Sequence, residues 1–234
     1  LEHGPIAVLI QPIEFLIIGG AALGSFLVAT PLKVLKQAIS GVIGTLKGDK
    51  YSKQTYIDVL KMLYELFQLA KKDGLMSIEP HIEKPKESVI FKKYPSFLNN
   101  HHAVDFLCDS LRMLVSGGIS PFDLEALMDS DISTHHEDVS KPAAMVNKVG
   151  DALPGFGIVA AVLGVVLTMQ AIGGPVEEIG HKVGAALVGT FLGILLSYGV
   201  VGPIATNMEN LNSSEARYYE VIKACVVSFS KGAA

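Results

Sequence analysis

The chain has 234 residues, half of them hydrophobic, and a net charge of −4 from 19 basic and 23 acidic side chains. That is too apolar for an ordinary soluble domain, so an integral membrane protein is expected. No basic arm points to nucleic acid, and Cys108 and Cys225 are too few and too far apart for a disulfide framework or a C-x-x-C site; both read as reduced, structural thiols.

Leu1 to Gln11 is short and carries Glu2 and His3. No basic stretch precedes an apolar core there, so no signal peptide is read, and a further hydrophobic segment is expected upstream. The apolar run from Pro12 to Pro31 holds a small-residue face of Gly19, Gly20, Ala21, Ala22, Gly24 and Ser25, and a transmembrane helix is read over Pro5–Thr30. Glu14 lies near one end of it, close enough to reach the interface or a neighbouring helix, and reads as an anchor rather than a proton carrier.

Lys33 to Asp151 is polar, 119 residues long, and holds 15 of the 19 Lys and Arg residues. Its periodicity is helical. Pro31–Leu46 has an amphipathic face; Ser52–Ala70 repeats Tyr56, Val59, Leu60, Leu63 and Phe67 on one side and stops at Gly74; Asn99–Ser116 is closed by Gly117 and Gly118. Ser120 and Pro121 start a helix read as far as Met128. Asp129–Asp138 reads as an acidic, histidine-rich stretch, and Pro142–Lys148 as the way back to the membrane.

Ala152 to Val176 carries no charge over 25 residues, and Val183 to Met208 none over 26, with Glu177, Glu178, His181 and Lys182 in a short loop between. A polar backbone crosses hydrocarbon only as a helix or a closed barrel, so the two runs predict a transmembrane hairpin. Gly155, Gly157, Ala160, Ala161 and Gly164 on one arm, and Gly184, Gly189 and Gly193 on the other, allow close helix approach. Neither arm carries an Asp, Glu, His, Lys or Arg, so proton conduction would need a carboxylate from a partner. Asn207–Ala234 is an amphipathic, helix-like tail.

The domains expected are a first span over residues 1–32, a helical cytoplasmic domain over 33–151, the hairpin over 152–206 and a cytoplasmic tail over 207–234. The sidedness comes from Lys33, Lys36 and Lys148 flanking the long region and Glu177 and Glu178 flanking the short one. His101–His102 with Asp105, and His135–His136 with Glu137 and Asp138, lack the i, i+4 spacing of a metal site and read as solvated surface. No phosphate loop or nucleophile–base pair is present, so no enzyme, metal or cofactor is expected. The charged stretch of Lys71, Lys72, Asp73, Glu79 and Glu83–Glu87 sits around loops, a natural place for a rapidly exchanging contact with a protein partner.

Several stretches carry a family resemblance: Gln11-Pro12-x-Glu14, Glu83-x-Pro85-x-Glu87-Ser88, Glu125-Ala-Leu-Met-Asp129, Val149-Gly-Asp-x-Leu-Pro154-x-Phe-Gly-Ile-Val-Ala-Ala161 and Gly189-Thr190-Phe-Leu-Gly-Ile-Leu. In order along essentially the whole chain, they resemble the A subunit of the bacterial flagellar stator, the MotA/PomA family. The resemblance implies an all-α integral membrane protein of four spans, three of them visible here, in the bacterial inner membrane. It implies a homopentameric ring around two copies of a B subunit whose Asp binds the ion, with cytoplasmic charges acting on a FliG-like rotor switch protein. Carried over residue by residue, Pro154 and Pro203 match prolines linked to torque, and Thr190 a pore-facing hydroxyl. Lys71, with Lys72 beside it, matches the rotor-facing cation and Glu79 its acidic counterpart; Lys stands where some members have Arg. Sodium-type members place Thr where Ala161 stands, which implies a proton-type ion pathway. The alternatives are a proton-driven channel of the ExbB/TolQ type and a passive membrane scaffold.

Overall fold

The computed structural model describes residues 9–170 and 173–232. The first part of the span read over Pro5–Thr30 falls on residues 1–8 and so lies outside the described residues. Among the described residues the chain is helical, with no strand. Three stretches are long and apolar enough to cross a membrane: Pro12–Ala29, and windows within Pro121–Met169 and Val176–Ser230.

Local chemistry sets the helix ends. α1 (Pro12–Ala29) has proline at its first position, where the missing N–H costs nothing. It stops at Thr30, which Pro31 forces into an extended conformation. α2 (Leu32–Thr45) follows at once. α3 (Lys53–Asp73) starts on Ser52, whose hydroxyl accepts from the Thr55 N–H, and ends at Gly74, where φ is +89°. A 3₁₀ turn, Leu75–Ile78, runs into α4 (Glu79–Glu83); a second, Phe91–Lys93, precedes α5 (Pro95–Leu98). α6 (His101–Ser116) is capped by the Asn100 side chain, which accepts from the Ala103 N–H.

α7 (Pro121–Met169) is 49 residues long and does not end at Met128. Nothing between Pro121 and Pro142 can stop it, since that stretch has neither glycine nor proline. Leu124, Met128 and Ile132 are buried at four-residue spacing, which makes the acidic residues among them the wet side of one helix. Glu177, Glu178, His181 and Lys182 likewise lie within α8 (Val176–Leu196), not in a loop. The two acids in its first turn face the positive end of the helix dipole, and Glu178 pairs with Lys182 at 2.8 Å. After a π-helical turn, Ser197–Val201, α9 (Gly202–Ser230) joins the end of the last apolar run to the tail in one helix.

The chain divides into two compact units, residues 1–47 with 140–210 and residues 48–139 with 211–234. Residues 33–47 and 140–151 thus group with the apolar helices, and 211–234 with the polar region. In the first unit Ile18, Ala22, Leu153, Ala160, Val188 and Leu192 are buried together, and a second patch joins Ala38, Ala143, Val146, Ala205 and Met208. Its outer surface keeps Leu16, Val28, Leu187 and Leu195 exposed, as hydrocarbon or a neighbouring apolar helix would require. The second unit has a water-soluble kind of core, with Phe91, Phe97, Leu107, Leu111, Tyr218 and Tyr219 almost fully buried. Cys108 lies in it; burial pushes its thiol up to about 12, so it is inert at neutral pH.

Candidate functional site

The first unit is organised by a seam where α7 and α8 meet backbone to backbone. A methyl group on Gly157 would lie 2.7 Å from the Gly189 carbonyl oxygen and 3.3 Å from Thr190 Cα. One on Gly193 would lie 2.6 Å from the Leu153 carbonyl oxygen and 3.0 Å from Gly157 Cα, and one on Gly164 would lie 2.7 Å from Ala186 Cβ. These contacts leave no room for a side chain, so glycine at 157, 164 and 193 is what brings the helices together. Gly155 and Gly184, of the same small-residue set, face open space, as do Gly19, Gly20 and Gly24 on α1.

The seam places the sequence-derived residues. Ala161 and Thr190 are half-buried on its two sides: Gly157, one turn before Ala161, faces Thr190, and Gly189 faces Ala160 and the Ala161 backbone. Pro154 is half-buried in α7, beside the Leu153–Gly193 contact. A proline inside a helix cannot donate to the carbonyl four residues back, so the Gly150 carbonyl loses its helical partner. Pro203 is exposed near the start of α9. Its ring cannot follow a regular α-turn, and the π-turn Ser197–Val201 directly before it makes the room. The Gly202 N–H donates to the Ser197 carbonyl across that turn, and a methyl group on Gly202 would come within 3.0 Å of the same oxygen. Pro203 and its neighbours Tyr198, Gly202, Thr206, Asn207 and Asn210 line a shallow groove whose surface is mostly apolar. On the other side, Gly150 approaches Val201 and Gly202, so α7 contacts the π-turn as well as α8.

Sequence reasoning left one member of the seam as an end-of-helix anchor. Glu14 reaches the neighbouring helix: it is 7% exposed, and a methyl group on Gly189 would lie 2.9 Å from its Oε2. That oxygen has no hydrogen-bond partner among the described residues. The α7–α8 seam therefore does have a carboxylate beside it, supplied by α1 against Gly189. Its place near the helix end put a neighbouring helix within reach, but which helix it meets depends on how α1 docks on α8.

In the second unit Lys71 and Lys72 lie exposed in the last turn of α3, where cations are favoured, and Glu79 is exposed at the start of α4. The connection is stiff. Ile78 and Ile82 are buried beneath it, and Ser77 Oγ donates to the Gly74 and Leu69 carbonyls. Arg112 donates to Glu83 at 2.6 Å and also to Asp109, and His81 Nδ1 is 2.8 Å from Ser88 Oγ. Lys71, Lys72 and Glu79 themselves take part in no ion pair among the described residues. They are charged groups on a fixed frame, open to a partner. Among the described residues no group of three or more His, Cys, Asp or Glu side chains could hold a metal ion.

Among the described residues, three membrane-length helices, a glycine seam with a buried acid, and a polar helical unit define a multi-pass membrane protein. Comparison with known proteins agrees. Residues 1–74 match the profile of the motility protein A N-terminal region, and residues 99–221 that of the MotA/TolQ/ExbB proton channel family. Motility protein A of Salmonella typhimurium is 40% identical over 232 residues, which is 99% of this chain and 79% of that protein. The chain belongs to the motility protein A family. Two solved structures share its fold. One, from C. jejuni MotAB, has a TM-score of 0.79 at 21% identity and covers 100% of this chain and 83% of its own; the other, from the Bacillus subtilis flagellar MotAB stator complex, has 0.78 at 24% and covers 99% and 82%.

Proposed function

We propose that the chain is the A subunit of a flagellar motor stator, forming with a B subunit a proton channel whose flux drives the rotor. The observation that carries this is the seam of Gly157, Gly189 and Gly193, with Ala161, Thr190 and the buried Glu14 gathered along it. A buried carboxylate without a partner is costly in a membrane helix, and function is the usual reason one is kept. The match of residues 1–74 to the motility protein A N-terminal region favours a stator over an ExbB/TolQ-type transducer or a scaffold. The B subunit, in two copies, brings the ion-binding Asp. A ring of five A subunits surrounds it in the inner membrane, and the open small-residue face of α1 and the exposed Leu and Val side chains leave room for those neighbours. Pro154 and Pro203, each depriving the backbone of a hydrogen bond, are where helix bending accompanies ion passage. Residues 33–151 and 207–234 are cytoplasmic, and residues 174–182 face outside.

The topology predicts that a cysteine placed at Glu178, which is exposed, is labelled from outside intact cells. Labelling only after permeabilisation would contradict it.

Lys71, Lys72 and Glu79 form the contact with the FliG-like rotor protein. Exposed pairs contribute about 0.2–1 kcal/mol each, so single changes are expected to be mild. Reversing Lys71 and Glu79 together should reduce torque while the stator still assembles; wild-type swimming of the double variant at low stator expression would refute the assignment.

The ion is the proton. Sodium needs several oxygen ligands, whereas a proton needs one carboxylate and a chain of water. Ala161 offers only a methyl group, and Thr190 a single hydroxyl. Motility is expected to persist in sodium-free medium and to stop with a protonophore; sodium-dependent speed that survives a protonophore at alkaline pH would overturn this. Ala161→Thr alone should leave the selectivity unchanged, since the B subunit supplies other ligands.

A further inference from the structure

The second unit contains a cluster that neither the ion pathway nor the Lys71–Glu79 frame uses. The rings of His102 on α6 and His135 on α7 lie against each other, with centroids 3.6 Å apart and planes tilted by 36°. They are not the solvated surface that their sequence spacing implied, because the unbroken α7 brings His135 against α6. Tyr219 on α9 meets both edge-on, at 5.2 Å from His102 and 5.4 Å from His135. One turn earlier on α9, Glu215 accepts from the Tyr219 hydroxyl at 3.1 Å and faces His135 Nε2 at 3.5 Å. Tyr51 accepts from Asn100 at 3.2 Å. His102 Nδ1 is buried and has no hydrogen-bond partner among the described residues.

We propose that the close His102–His135 ring pair, backed by Glu215, is a proton-operated latch that holds α6, α7 and α9 together and loosens when the compartment bathing this unit turns acidic. A proton added to His102 would put a cation against the His135 ring, 3.6 Å between centroids, with no acceptor for the new N–H. The charged groups around His102 are Asp105 on its own helix, His135 and Asp131 on α7, and Glu215 on α9, with the Tyr219 hydroxyl beside them. Burial, and then His135, hold His102 below its ordinary 6.5 against the weaker opposite pull of Asp131, Glu215 and Asp105. The opened junction therefore takes up a proton as pH falls through about 6.5, and the closed junction only at lower pH. Closure is fully favoured above that value and is lost as pH falls from there toward the depressed value. On the reading of this unit as cytoplasmic and of the channel as proton-conducting, the latch weakens the unit when proton inflow outruns export.

The test is amide hydrogen exchange in α6 and in residues 211–230 of the full-length protein purified with its B subunit. It is measured well above pH 6.5 and about one unit below, corrected for the intrinsic pH dependence of exchange. Opening is expected to increase on acidification by up to about tenfold per pH unit. His102→Phe keeps a flat ring that cannot titrate and should flatten this response; His102→Gln, also non-titrating, should do the same if the larger ring disturbs folding. An equally steep response in both variants, or none in the wild type, overturns the proposal. The readout needs no ion flow, so its failure leaves the channel reading intact, and a failure of the channel in motility tests leaves this result standing.

Discussion

Gly193→Ala is expected to abolish torque, although alanine is the better helix former. In a helix interior the exchange gains about 1 kcal/mol of propensity. Here the new methyl group would sit 2.6 Å from the Leu153 carbonyl oxygen and 3.0 Å from Gly157 Cα. Both are backbone atoms, so no side chain can swing aside and α7 and α8 must part. Overpacking of this kind costs about 1–3 kcal/mol, enough to cancel the gain and to move Thr190 relative to Ala161. Gly155→Ala is the control, because nothing lies within 4 Å of a methyl group there. It should keep or slightly raise the melting temperature. Thermal unfolding of the purified protein and motility of the two variants decide the matter; equal tolerance of both would mean that the seam is not close-packed.

Glu14→Gln is expected to leave assembly intact and to reduce proton flux on the order of 100-fold, the low end of what a positioned proton carrier contributes. Glutamine keeps the shape that fits against Gly189 and removes the ability to exchange a proton. Glu14→Leu separates the two roles still further. An acid that serves only as an anchor is improved by an apolar replacement in an apolar site, whereas one that handles protons is disabled by it. Speed per assembled stator, with assembly followed by membrane fractionation, is the measurement. Wild-type speed in either variant would return Glu14 to an anchoring role.

The membrane-length helices were legible because charge is excluded from them over whole spans, and composition alone carries that signal. Glycine at 157, 164, 189 and 193 was legible as small-residue spacing, but which glycines touch was not. Gly155 and Gly184 have the same local pattern and face open space. Helix ends were readable where chemistry marks them, as at Ser52, Gly74 and Thr30. They were misread over Asp129–Asp138, where polarity was taken for a break although Leu124, Met128 and Ile132 already kept a helical period. The loop placed at Glu177–Lys182 failed in the same way: acids at a helix start stabilise the helix rather than interrupt it. The π-turn at Ser197–Val201 has only Pro203 as its sequence mark. The partners that Glu14 and His102 meet have no local mark, because each contact joins residues more than thirty positions apart.

Complementation tests the central claim most directly. The full-length protein is expressed, with and without its B subunit, in motile-type cells that lack both stator subunits, and rotation of tethered cells is recorded in sodium-free medium. The account predicts that rotation appears only when both subunits are present, and that a protonophore stops it. Both subunits assembled in the membrane without rotation, or rotation that a protonophore leaves unchanged, would contradict it.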